Sequence, residues 1–344
     1  MADNPIKTME EFSEFVGLSR PTVSRFFQNP DSVRLATRQR IEQAVESSGY
    51  RPNLLAANLN RQKSKILGII VPTLFDPFYM AITQRIDQIV TLHGFQAFTL
   101  CSDGRPELET EAVKTFTSMN VAGSFIAPLG RKTVRSKLRD IKKSMPLVAL
   151  DSPLDDETAF VGTNNAQSMM LMVNYLCRSG EPPVYFDMPG INDNAYERCK
   201  AYAESMEKLG HEPLYAFSGS SDTWDFEKFA FDQTMAILSQ GGFATRTVVC
   251  ANDRLAFGVL AACYQAGVKV GRGSDCQLRV AGHDNHPLSA FTCPPLTTVS
   301  QNYEDIGRIA TGILLAKLGE SDMPSELVDN QALLNGELVL RESA

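Results

Sequence analysis

Apolar positions change their spacing twice along this chain. From Phe12 to Phe27 they fall at helical intervals on either side of Gly17, which predicts a short helix, a tight turn and a second helix. Gly17 supplies the permissive backbone at the turn. Ser19 stands where it can cap the second helix, and Pro21 falls early enough to cost it no hydrogen bond. Val23 and either Phe26 or Phe27 then pack inward, leaving Arg20, Thr22, Ser24 and Arg25 facing out. Beyond a turn-rich loop at 28–32, Ile41, Ala44 and Val45 predict a third helix over Ala36–Ser48, ended by Gly49. Three such stripes bury a small core of Phe12, Phe15, Val16, Val23, Ile41 and Val45. A further helix is expected just after Pro52. At roughly seven residues it is too short to stand alone in water and is expected to form on a partner.

From residue 66 the rhythm becomes short apolar runs alternating with longer amphipathic stretches. The runs are Ile66–Val71, Ala97–Leu100, Gly123–Ala127, Leu147–Leu150, Val184–Phe186, Val248–Ala251, Leu278–Ala281 and Leu296–Val299. Near-continuous Val- and Ile-rich runs suit strands covered on both faces. The intervening helices are expected to end at Gly94, Gly180, Gly210, Gly241, Gly267 and Gly319. Repeated β-α units predict open parallel sheets. The length exceeds what one such sheet needs, so two subdomains flanking a cleft are expected. The division is a head over 1–51, a hinge and linker over 52–63, and a body over 64–344. Within the body, one subdomain takes about 64–163 plus 299–328 and the other about 164–298 plus 329–341.

Charge follows the same division. The 344-residue chain carries a net charge of −7. Residues 1–63 hold nine Lys/Arg against seven Asp/Glu, a balance of +2, which leaves −9 for the remainder. A small basic head on an acidic body is the distribution of a DNA reader joined to something else. No apolar run is long enough to span a membrane, and the N-terminus has no apolar signal region, so a cytoplasmic protein without a membrane partner is expected. Seven cysteines, an odd count with no CxxC pair, read as buried free thiols of that compartment.

Ligands of open α/β sheets bind beyond the carboxyl ends of strands. The residues there are informative. Phe75-Asp76-Pro77-Phe78-Tyr79 follows the first run, and Asp151 and Asp187 follow later ones. Asn252-Asp253 and His283-Asp284 follow two more. Carboxylates and amides accept hydroxyl hydrogen bonds, and aromatic faces cover sugar rings, so a polyhydroxylated ligand is expected. Each residue has a plainer alternative. Asp253 is either a helix cap or a ligand contact. Phe75, Phe78 and Tyr79 are either cleft aromatics or dimer-facing core. Trp224 is either a stacking residue or part of the core. No GxSxG, GxGxxG or P-loop pattern and no metal-spaced His/Cys cluster occurs, so no enzyme, cofactor or metal is expected.

Thr22-Val23-Ser24-Arg25, then Thr37-Arg38, then Gly49-Tyr50-x-Pro52-Asn53-x-x-Ala56-x-x-Leu59 resembles the lactose-repressor (LacI/GalR) family. Asn252-Asp253-x-x-Ala256-x-Gly258, Val280 to Asp284 and Pro295 to Val299 extend the resemblance through the body. It implies an all-α helix-turn-helix head with a hinge helix, followed by an α/β periplasmic-binding-protein-like body of two doubly wound parallel-sheet subdomains. It also implies that Ser19, Arg20, Pro21, Thr22, Ser24 and Arg25 meet the major groove of a double-stranded operator. Asn53, Ala56 and Leu59 match the hinge positions, Leu59 being the one that enters the minor groove. In the body, Phe75, Phe78, Asp151, Arg198, Trp224, Asn252 and Asp284 correspond to effector contacts. The chain departs from the family where Arg34 replaces a Ser that caps the third helix, a loss of about 1 kcal/mol unless Ser32 or Thr37 substitutes.

The resemblance implies a transcription regulator, taken as a repressor, that binds a palindromic operator as a homodimer under the control of a small effector. Arg198 admits sugar acids and sugar phosphates beside neutral sugars and polyols. A transport receptor and an enzyme are the rival readings. The first lacks its signal region and does not explain the helix-turn-helix. The second rests only on His283-Asp284 and Cys293. No heptad repeat follows Glu337–Leu340, so a homodimer without a tetramerising coiled coil is expected.

Overall fold

A computed structural model describes residues 6–52, 64–130, 142, 144–190, 193–217 and 223–344. The chain divides into two compact units, Met1–Ser64 and Lys65–Ala344.

The first unit is helical: α1 (Met9–Val16), α2 (Arg20–Gln28) and α3 (Leu35–Ser48). Helix α1 opens on a capping box in which Thr8 and Glu11 satisfy each other's backbone amides, and closes on Gly17 at φ +64°. Phe12, Val16, Val23, Phe26, Ile41 and Tyr50 form its core. Two details differ from the sequence pattern. Phe15 is 55% exposed, because the slot beside Phe12 is filled by Tyr50, whose ring stacks at 4.5 Å. At α3 no side chain caps the amides behind Arg34: Ser32 bonds instead to the Asn29 carbonyl.

The second unit contains two parallel sheets. The first has six strands in the order β11 (Gln331–Leu334), β5 (Ala159–Thr163), β4 (Leu147–Leu150), β3 (Gly123–Ile126), β1 (Ile66–Val71) and β2 (Gln96–Cys101). The second runs β7 (Leu214–Tyr215), β6 (Val184–Phe186), β8 (Thr247–Cys250), β9 (Arg279–Ala281). A short antiparallel pair, β10 (Thr298–Ser300) with β12 (Glu337–Val339), lies beside them. Every residue of β1 is buried, as a strand covered on both faces requires. Helices α4 (Pro77–Leu92) and α10 (Tyr303–Lys317) pack on the first sheet, with Ile306, Ile309, Ala310, Ile313 and Leu314 forming the buried stripe of α10. Helix α5 (Pro106–Ser118) covers the other face through Ala112, Val113 and Phe116. The second sheet carries α6 (Asn165–Ser179), α7 (Asp193–Lys208), α8 (Phe226–Ser239) and α9 (Asp253–Gln265).

The chain passes between the two subdomains three times: from β5 into α6, from β10 into α10, and from β11 into β12. This corrects the expected division, which gave 329–341 wholly to the second subdomain. Strand β11 pairs in register with β5, Gln331 opposite Phe160. Strands β5, β7 and β11 were absent from the sequence pattern. They are short, and β5 is interrupted by Gly162, so only their partners define them. Gly180 does not end α6 in a left-handed turn either: its φ is −174°.

Candidate functional site

The exposed side of α2 is the first candidate surface. Ser19, Arg20, Pro21 and Arg25 are exposed and Thr22 and Ser24 half-buried, while Val23 and Phe26 anchor the opposite side in the core. Ser19 occupies the N-cap position, yet its hydroxyl meets that of Thr22 at 2.8 Å rather than a backbone amide. The Thr22 and Val23 amides donate instead to the Ser19 carbonyl, and Pro21 has no amide that needs a cap. Asn53, Ala56, Leu59 and the hinge helix lie outside the described residues.

The second candidate is a cavity of about 40 Å³ between the body's two subdomains. Phe78, Asp151, Arg198, Trp224, Asn252 and Asp284 all line it. A larger neighbour of about 370 Å³ shares Asp76, Phe78 and Asp284 with it. Phe75 lines neither and is 95% exposed. Thr73 accepts its backbone amide and Asp76 caps α4, so the turn delivers Phe78 to the cavity and leaves Phe75 outside. Phe75 is thereby removed from the candidate effector contacts.

The second subdomain contributes the ion pair. Arg198, on α7, places Nη1 3.1 Å from Asp284 Oδ1, with side chains 5% and 17% exposed. Its Nη1 also donates to the Ala251 carbonyl and its Nε to Asn165 Oδ1. Asp284 sits just past β9 at φ +120° and accepts from Gln301 Nε2 as well. Burial opposes its charge, but Arg198, His283 and Gln301 together hold its carboxyl below the usual range. His283 Nδ1 lies 2.9 Å from Asp284 and Nε2 2.9 Å from the Ser168 hydroxyl. Burial, and then the charge of Arg198, pushes this imidazole down to about 4, so it is neutral and donates from Nδ1.

The first subdomain contributes two further carboxylates. Asp151, left-handed at φ +65°, accepts the Tyr79 hydroxyl at 2.7 Å, and burial raises it to about 6 despite that bond. Asp76 accepts the Phe78 amide and is raised to about 6 by burial and then by Asp284. Arg254 Nη1 stands 3.7 Å from Asp76, but its guanidinium is already committed to both oxygens of Glu227 and lies over the Phe226 ring.

Asp253 is neither the helix cap nor a cavity residue. Asn252 caps α9, accepting the Leu255 amide, while Asp253 accepts from Ser289, Thr298 and the His286 amide. Asn252 thus does both jobs, capping and lining. Trp224 also joins two roles: it lines the cavity and packs against the apolar cores of both subdomains. The sequence pattern places Asp76 at a strand end without assigning it to the effector, and it misses Asn194 and Gln301. Gln301 follows β10 directly, so the strand-end rule reaches it once that strand is bounded correctly. Among the described residues no group of three His, Cys, Asp or Glu side chains is placed to hold a metal ion.

A helix-turn-helix head and a two-subdomain α/β body with a polar cavity at its strand ends define a DNA-binding regulator joined to a ligand-binding type of fold. Residues 8–53 match the model of the lacI family of bacterial regulatory proteins, and 184–344 match the periplasmic binding protein-like domain. The chain is 28% identical over 343 residues to the transcriptional repressor CytR of Escherichia coli, covering 98% of this chain and 96% of that one. It is 25% identical over 321 residues to the regulator GntR of the same species, covering 93% and 94%. Its fold matches the lac repressor dimer bound to operator and an anti-inducer, at a TM-score of 0.80 and 24% identity over 99% of each chain. The chain belongs to the LacI/GalR family of transcriptional regulators. These relatives are regulators, not enzymes.

Proposed function

We propose that this chain is a repressor that binds a palindromic operator as a homodimer and is controlled by a small polyhydroxylated effector in the interdomain cavity. The convergence of Asp151, Asn252 and Asp284 from separate strand ends, and of Arg198 from α7, on one cavity carries the reading. The two half-sites of a palindrome require two heads at fixed spacing. Ser19, Arg20, Pro21, Thr22, Ser24 and Arg25 are the residues we assign to the major groove, and Asn53, Ala56 and Leu59 to the hinge contact. The body exposes Phe75, Met80, Tyr264 and Phe291, large apolar side chains of the kind a dimer contact covers. Asp151 and Asp76 reach the cavity from one subdomain and Arg198, Trp224 and Asp284 from the other. A ligand touching both sets changes how the subdomains meet, and coupling to operator binding is then reciprocal.

The test is selection of operator sequences from a random pool, followed by titration of the selected duplex with and without candidate effectors. Recovery of an inverted repeat bound by two chains, with affinity lost in Arg25→Ala and Leu59→Ala, is the expected result. Recovery of no sequence preference, or of a single half-site bound by one chain, would falsify it.

A further inference from the structure

The charges around the effector cavity do not balance. Asp76, Asp151 and Asp284 line it, against Arg198 alone. In the larger cavity Arg254 comes with its bidentate partner Glu227, while Arg341 donates to the Leu296 carbonyl and Asn285, so the excess is two negative charges at the smaller cavity and one over both. Arg198 itself is spoken for by Asp284, Asn165 and the Ala251 carbonyl. Asp76 has one backbone donor and a guanidinium beyond hydrogen-bond distance, and Asp151 receives the hydroxyl of Tyr79. A carboxylate or phosphate entering the smaller cavity would meet this excess of carboxylates.

The apolar part of the lining points the same way. The aromatic rings of Phe78 and Trp224 border the cavity beside the carboxylates. Aromatic faces next to carboxylates make the environment in which an ammonium group is held, by ring quadrupole and by charge-assisted hydrogen bonds together. Volume adds a third constraint. About 40 Å³ takes a small polar headgroup, and the adjoining 370 Å³ takes the body of the ligand.

We infer that the effector of this regulator carries a positively charged amine, seated in the smaller cavity among Asp76, Asp151 and Asp284, with its polyhydroxylated frame extending into the larger one. This rests on the cavity being the effector site. It narrows the ligand to amino sugars, amino polyols and related aminated compounds, and disfavours an acid group in the smaller cavity.

The experiment uses the full chain and matched triads on one carbon frame: amino sugars and amino polyols, their neutral parents, and the corresponding acids. Binding is read by thermal shift and by the emission of Trp224. The expected result is that hits fall among the amines. Asp76→Asn and Asp151→Asn should each weaken the amine about tenfold or more, from loss of a charge-assisted hydrogen bond, while affecting the neutral parent much less. A neutral or acidic compound that binds more tightly than its amine, yet is lost in Arg198→Lys, overturns the charge assignment alone. Binding of any class that Asp76→Asn, Asp151→Asn and Asp284→Asn all leave unchanged overturns the cavity as the effector site, and the amine with it. A set in which no amine binds also overturns the inference.

Discussion

The guanidinium of Arg198 and the carboxylate of Asp284 form a buried ion pair at 3.1 Å, joining α7 to the end of β9. A buried pair contributes little net stability compared with an apolar pair of similar shape, but removing one partner strands the other. Arg198→Met is therefore expected to destabilise the body by about 3–5 kcal/mol. Asp284→Asn should cost less, since an amide still accepts from Gln301. Urea unfolding of both variants measures the difference, and equal small losses would show that the pair is solvated.

The indole of Trp224 lies against Gly104, so the two subdomains touch through a glycine. A Cβ at that position would fall 2.1 Å from Trp224 Nε1, and the backbone is left-handed at φ +67°. Gly104→Ala is expected to displace the ring and to cost about 1–2 kcal/mol in backbone strain. Trp224 is the single tryptophan, so its emission reports the change without interference. An unaltered spectrum would mean that the loop yields instead of the ring.

His283 couples folding to pH. Its folded value near 4 lies below the ordinary 6.5, so the native chain resists taking up the proton that an unfolded chain accepts. Its contribution to stability is full above pH 6.5 and is lost as pH falls toward 4. Buried Asp76, Asp151 and Asp253, raised to about 6, 6 and 7 by burial first, act in the opposite sense over the same interval. Comparison with His283→Asn isolates the histidine: the wild-type advantage should shrink from pH 7 to pH 4.5 in parallel urea titrations. A constant difference would show that His283 titrates alike in the folded and unfolded chains.

Asp253 ties α9 to the loop after β9, through the Ser289 hydroxyl and the His286 amide, and to β10 through the Thr298 hydroxyl. Asp253→Ala leaves these donors without an acceptor and is expected to cost about 3 kcal/mol. Because Asp253 does not line the cavity, surviving folded protein should keep its effector affinity. Loss of ligand without loss of stability would return Asp253 to the binding site.

In the head, Phe12 is fully buried and Phe15 is 55% exposed. Phe12→Ala is expected to remove about 3–5 kcal/mol and with it operator binding. Phe15→Ala should retain operator binding, as measured by fluorescence anisotropy on the full chain. Similar losses from both would mean that Phe15 is covered when DNA is bound.

Much of this molecule is written locally. The turn at Gly17, the outward side of α2 and the bounds of β1 and β4 follow from periods and punctuation that a few neighbouring residues carry. The strand-end rule reached Asp151, Asn252 and Asp284 because a residue just past a parallel strand must lie at the sheet's carboxyl edge. Tertiary structure decided whatever depends on a distant partner. Strand β11 exists because β5 pairs with it, and neither carries a strong pattern of its own. Tyr50 took the slot beside Phe12 that spacing alone gave to Phe15. Phe75 and Phe78 look alike in sequence, and only the Asp76 cap sorted one to solvent and the other to the cavity. The charge excess that selects the ligand belongs to no segment. It arises where side chains from two subdomains, each with its own committed hydrogen bonds, face one small space away from water. Periodicity sets which face of an element is apolar; long-range packing sets which faces meet and which polar groups are left for a ligand.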